Sequence, residues 1–174
     1  MLPDIKGLIG LDIGCGEGSN TREIQRLGPK MTTIDISRTF IRYAKNLEER
    51  DKLGIIYLVA SAVELPFNNN FFEFTMSTMA LIDITEYQKV IQEGYRVTKP
   101  GGFFQFSITH PCFSFGVPEF IEDEEGHRKT IILSGYFKKR ENQIDEWIFG
   151  AAPKKITEGL EKFRIPKFNY SLSE

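Results

Sequence analysis

Three glycines alternate with other residues in Asp12-Ile13-Gly14-Cys15-Gly16-Glu17-Gly18, at the end of the apolar run Leu8-Ile9-Gly10-Leu11-Asp12-Ile13. Glycine accepts a positive φ, so this run can turn tightly, and without a Cβ it lets a ligand come close to the backbone. If a helix follows, its unpaired first amides face the anionic part of that ligand. The chemistry implied is cofactor binding, against the plainer alternative of a tight turn with no ligand. A dinucleotide fingerprint G-x-G-x-x-G would need its third glycine at position 19, where Ser19 stands, and this counts against a nicotinamide-dependent oxidoreductase. Asp35 closes a second apolar segment, and a carboxylate there offers two oxygens to the two hydroxyls of a ribose. An acid that merely caps the next helix is the competing reading. His110, in Thr109-His110-Pro111-Cys112, has the ordinary pKa of about 6.5 that suits a general base. A hydrogen bond to loop backbone is the plainer reading and is favoured over catalysis. Cys15, Cys112, His110 and His127 show no C-x-x-C or H-x-x-x-H spacing, so no metal site is expected.

These residues need elements to hold them. Strand and helix patterns alternate through the first 109 residues, which predicts an α/β domain with a parallel sheet. Strands are expected at Leu8 to Ile13, Met31 to Ile36, Ile55 to Val59, Phe72 to Ser77 and Phe103 to Thr109. Ser19 or Asn20 is expected to cap a first helix to Leu27, Asn20 and Glu23 making a capping box. Ser37 should cap a second, with Phe40, Ile41, Ala44 and Leu47 on its apolar face, and Thr85 with Gln88 should open a third, burying Tyr87, Val90, Ile91, Gly94 and Val97. Residues 110–174 lose the rhythm and are expected to form an irregular, substrate-side cover of the same domain, following a cofactor-binding core at 1–109.

A length of 174 residues suggests one compact domain, and 41% hydrophobic with 26% charged residues makes it globular rather than disordered. With 22 basic against 24 acidic side chains, no net field gathers nucleic acid; Lys138-Lys139-Arg140 is offset by Glu141, Asp145 and Glu146. The longest apolar run, Ile55 to Ala60, is six residues, far below the roughly 20 of a membrane span. The first six residues lack the pattern of a secretory signal, and two cysteines make no disulfide framework, so a cytoplasmic location is expected.

The loop Leu11-Asp12-Ile13-Gly14-Cys15-Gly16-Glu17-Gly18, then Ile34-Asp35-Ile36-Ser37, Leu65-Pro66-Phe67, and Tyr95-Arg96-Val97-Thr98-Lys99-Pro100-Gly101-Gly102 resemble, in order and spacing, the motifs of class I S-adenosylmethionine-dependent methyltransferases, most closely the small-molecule type. The resemblance implies a Rossmann-like three-layer sandwich. It implies that Gly14, Cys15, Gly16 and Gly18 cradle the methionine part of S-adenosylmethionine, that Asp12 holds its amino group, that Asp35 binds the ribose and that Ile36 lines the adenine. The family often carries an acid that accepts from the adenine amino group; this chain reads Ala60-Ser61-Ala62, which puts the neutral Ser61 hydroxyl where that acid is expected and leaves the Ala62 amide as the adenine contact. Ser77-Thr78-Met79-Ala80-Leu81 resembles the lining near the sulfonium, with core packing an equal reading for Met79 and Leu81.

Pro111-Cys112 is only a poor match to the nucleophile of cytosine carbon methyltransferases, and no Asn-Pro-Pro-Tyr-like motif follows strand four, so a small-molecule acceptor is favoured over a nucleic-acid base. A non-catalytic cofactor-binding module or a truncated methyltransferase is the alternative. The family's sheet has seven strands and a preceding helical segment. Five strands are legible here, so the sheet is expected to be incomplete at its C-terminal edge, where strand five could pair with a second copy.

Overall fold

The computed structural model describes residues 3–110, 119–133, 143–147 and 163–167. Strands β1 (Ile9–Ile13), β2 (Lys30–Asp35), β3 (Ile56–Val59), β4 (Phe72–Thr78) and β5 (Thr98–Ser107) form one sheet in the order β3-β2-β1-β4-β5, every neighbouring pair parallel. Between them run α1 (Ser19–Arg26), α2 (Arg38–Asp51) and α3 (Tyr87–Val97), with a 3₁₀ turn at Leu81–Asp83. The parallel sheet, its connecting helices and the α/β class are those expected from the alternation of patterns.

Two of the three helix starts differ from expectation. Ser37 caps α2 by accepting from the Phe40 amide at 3.3 Å. The α1 cap is instead Gly18, in the left-handed region at φ 83° with no side-chain bond, because the Ser19 hydroxyl is turned back to the Glu17 carboxylate. Likewise α3 is capped by Glu86 without a side-chain bond, and the Thr85–Gln88 box does not form.

Alternation along the strands builds a core on each face of the sheet. Leu11 and Ile13 point to one side and pack with Phe72, Leu65 and the α3 residues Val90 and Val97. Met31, Tyr57 and Phe74 point to the other, against Ile41 and Ala44 of α2. Gly10 belongs to that second layer, and a Cβ on it would lie 2.3 Å from the Phe74 ring, so only glycine fits. The buried helix stripes are narrower than the spacing suggested: Phe40 is 49% and Ile91 37% exposed.

The chain runs outward from β1 through β2 to β3, then returns to place β4 on the other side of β1. This reversal makes a switch point between the carboxyl ends of β1 and β4, where open sheets leave a crevice. The returning loop is held by Arg96 of α3, whose guanidinium donates to the Leu65 and Phe67 carbonyls at 3.0 and 2.8 Å, while Glu93 accepts from the Leu65 amide at 2.7 Å. The Leu-Pro-Phe segment is thus docked on the helix below it. Among the described residues β5 is an end strand of the sheet.

Length alone suggests one compact domain; the chain divides into two compact units, Met1–Ile108 and Thr109–Glu174. The second, expected to be irregular, contains two antiparallel pairs, β6 (Glu119–Glu122) with β7 (Arg128–Ile132), and β8 (Gln143–Trp147) with β9 (Phe163–Lys167). The β6–β7 turn is closed by Asp123, which accepts from the Glu125 and His127 amides at 3.1 and 2.8 Å. Among the described residues no helix is long and apolar enough to cross a membrane.

Candidate functional site

The glycine loop leaves β1 and is pinned at its start to β2, the Gly14 and Cys15 amides both donating to the Ile34 carbonyl at 2.9 and 3.0 Å. Gly14, Gly16 and Gly18 have φ of 77°, 57° and 83°, a conformation that side chains with a Cβ resist. Their surroundings differ. A Cβ on Gly14 would meet the Ala80 Cβ at 2.4 Å, so this glycine lets the loops after β1 and β4 touch. A Cβ on Gly18 would strike the Tyr57 ring at 2.8 Å, whereas at Gly16 nothing lies within 4 Å. The outer two glycines are required by packing, and the middle one faces open space.

Asp35, at the end of β2, is bonded to this middle glycine. One carboxylate oxygen accepts from the Gly16 amide and the other from the Ser37 amide, both at 2.8 Å. Each carboxylate oxygen has capacity for a further donor. Asp35 therefore fixes the loop and holds the amide of Ser37, the α2 cap residue, with the same group that was expected to bind a ribose. Ile36, beside it, is 76% exposed. Beyond β3 the Ala60 amide stays bonded to the Asp35 carbonyl at 3.1 Å, and the Ser61 hydroxyl accepts from the Val63 amide at 3.4 Å. Ser61 and Ala62 follow the strand next to Asp35.

Asp12 is buried beneath the loop on the α1 side, 2% exposed, accepting from the Thr21 hydroxyl at 2.5 Å. Desolvation pushes its pKa up to about 6; the Thr21 bond opposes this and the nearby Asp35 charge adds to it. Cys15 is a free thiol whose Sγ lies 3.4 Å from the Gly16 carbonyl. Burial first, then the Asp12 and Asp35 charges, push it up to about 12, so it is no thiolate nucleophile at neutral pH. At the end of β4 Thr78 is half-buried; beyond it Met79 takes a left-handed φ of 60° and is 39% exposed, and Leu81 is buried in the first core. The two readings left open for Met79 and Leu81 therefore separate: Leu81 is core and Met79 is not.

His110 is exposed and belongs to the second unit. Pro111, Cys112 and Lys138-Lys139-Arg140 lie outside the described residues. Spacing did not anticipate that Asp123, Glu125 and His127 bring ligand atoms within 4.8 Å of one another. Asp123 there closes the turn and pairs with Lys129 at 3.4 Å, so the group reads as a turn cap. Sequence reasoning missed Arg22 and Tyr57, and read Ala80 only as part of a lining and not as the residue that closes on Gly14. Only the basic residue inside a helix start hinted at the first.

The Asp12 carboxylate gives a pH dependence with a definite sign. Its folded pKa of about 6 exceeds the ordinary 3.8, so between those values the folded state holds the extra proton. Its ionisation therefore costs stability as pH rises through that window, on the order of 3 kcal/mol once pH exceeds 6. Asp12→Asn keeps an acceptor for Thr21 and should raise the melting temperature at pH 7.5 but not at pH 4, as read by calorimetric scans of both proteins. An equal shift at both pH values would remove the burial argument.

The arrangement can hold a ligand that carries a vicinal diol for Asp35, a flat apolar surface for Ile36 and a slender portion over Gly16. Known proteins match this part of the chain. A family model described as a methyltransferase domain matches residues 11–106. The chain is similar to malonyl-[acyl-carrier protein] O-methyltransferase of Buchnera aphidicola, 38% identical over 101 residues covering 58% of this chain and 39% of that protein. It is 35% identical over 103 residues to demethylmenaquinone methyltransferase of Lactococcus lactis, covering 57% and 41%. It thus spans about two fifths of the length of these relatives. The crystal structure of an S-adenosylmethionine dependent methyltransferase from Mesorhizobium loti shares the fold, with a TM-score of 0.72 at 24% identity, covering 99% of this chain and 72% of that one.

Proposed function

The chain belongs to the class I S-adenosylmethionine-dependent methyltransferases, and on that premise we propose that it transfers a methyl group to a small-molecule acceptor in the cytoplasm. The observation that carries this reading is the open space at Gly16 together with the Asp35 carboxylate bonded to the Gly16 amide. The residues fit the cofactor. Gly16 leaves room for the methionine chain, Asp35 has spare lone pairs for the ribose hydroxyls, Asp12 offers negative charge to the amino group, and Ile36 supplies an apolar wall for the adenine. In place of an acid, Ser61 or the Ala62 amide meets the adenine edge. Thr78 closes the β4 side. Gly14 and Gly18 set the loop's course, and Cys15 lends its backbone to it.

When bound, S-adenosylmethionine would supply a methyl group activated by its sulfonium, with the thioether as leaving group, so the protein's work is alignment and exclusion of water. No covalent intermediate on the protein is needed. A base is needed only where the acceptor must lose a proton, and His110 is the residue assigned to that role. The free thiol at Cys15 supports the cytoplasmic setting.

Titration calorimetry with S-adenosylhomocysteine and with NAD tests the cofactor: binding of the first and not the second is expected, and the reverse would return the chain to the oxidoreductases. His110→Ala should lower turnover about a hundredfold on an acceptor that must be deprotonated, with S-adenosylhomocysteine affinity unchanged. Undiminished turnover would make His110 a loop residue. The same reading assigns the outer edge of β5 to pairing with a second copy, which light scattering would reveal as a mass that rises with concentration; a constant monomer mass would remove that assignment.

A further inference from the structure

The glycine loop is steered by a buried cation that the cofactor reading does not use. Arg22 lies one turn into α1 with its side chain only 11% exposed. Its guanidinium donates through Nη1 to the Glu17 carbonyl at 2.9 Å, and through Nη2 to the Glu17 carboxylate at 3.1 Å and the Ser19 hydroxyl at 3.4 Å. The same peptide that offers the Glu17 carbonyl has its N–H, that of Gly18, donated to the Cys15 carbonyl at 3.0 Å. One peptide plane is therefore held at both ends. Gly18 then rests against Tyr57 and the Arg22 Nη1, with no room for a Cβ.

We propose that Arg22 is a positioning residue for cofactor binding: it fixes the Glu17–Gly18 peptide, and through it the course of the loop around Gly16, before the ligand arrives. The physical ground is preorganisation. A loop of glycines loses much conformational freedom on ordering, and a lock already made in the free protein removes that cost from binding. The planar fork matters, since lysine presents a point charge that can reach the Glu17 carboxylate or its carbonyl but does not hold both in one plane. Glu17 is half-exposed and remains solvated without its partner, so loss of the guanidinium leaves no stranded buried charge.

The assignment rests on the cofactor reading, and the test separates the two. Wild type, Arg22→Met and Arg22→Lys are compared for S-adenosylhomocysteine affinity by titration calorimetry, and for amide hydrogen exchange in the free protein. Wild type binds; Arg22→Met is expected to bind about tenfold more weakly, with faster exchange confined to residues 14–19, and Arg22→Lys to fall between. A purely structural role would speed exchange across β1, β2 and β4 as well. Wild-type affinity in Arg22→Met, or in Arg22→Lys should the methionine variant fail to fold, overturns the proposal while leaving the cofactor reading intact. Absence of binding by wild type overturns both.

Discussion

Gly16→Val should abolish measurable S-adenosylhomocysteine binding while the protein still folds. The backbone at Gly16 has φ 57°, and a residue with a Cβ in the left-handed region costs roughly 1–2 kcal/mol, more when branched. That strain lowers the melting temperature without removing the core, because a Cβ at this position meets no protein atom within 4 Å. The space it enters is the space assigned to the ligand. A loss of at least about a hundredfold in affinity is expected, near 3 kcal/mol, together with a cooperative melt. Titration calorimetry and circular dichroism read the two quantities. A variant that binds normally would mean that the open space at Gly16 is not the cofactor's, and one that cannot fold would make this glycine a turn residue like its neighbours.

Asp35→Ala should weaken S-adenosylhomocysteine binding thirty- to hundredfold, about 2–3 kcal/mol. Two losses combine. Charge-assisted bonds to the ribose hydroxyls disappear, and the Gly16 and Ser37 amides lose the oxygens that hold them at 2.8 Å. Asp35→Asn separates these contributions, since the amide carbonyl can still accept one backbone bond but offers no charge. It should fall between wild type and the alanine variant. Affinity within about threefold of wild type in Asp35→Ala would detach Asp35 from the ribose.

Much of this was legible in the chain because it depends on local chemistry. Apolar runs of strand length followed by helical spacing specify a βα repeat, and a parallel sheet follows because each crossover must return the chain in the same direction. Three alternating glycines between a strand and a helix announce a turn that no other residue makes cheaply. Asp35 was visible because a carboxylate ending a strand next to that turn has few purposes. The expected helix caps at Ser19 or Asn20 and at Thr85 were not legible in this way, since a hydroxyl has several partners in reach and the winning one depends on where the loop has gone.

The sequence by itself determined the element order, the family and the identity of the loop; the tertiary structure decided which glycine faces open space. Gly14, Gly16 and Gly18 are equivalent as letters. They become different only when Ala80 from the β4 side closes on the first and Tyr57 from β3 closes on the last, leaving the middle one open. The lock made by Arg22 and the raised pKa of Asp12 likewise arise from burial. Burial is a property of what packs over a residue from distant segments, and no spacing rule within the loop contains it.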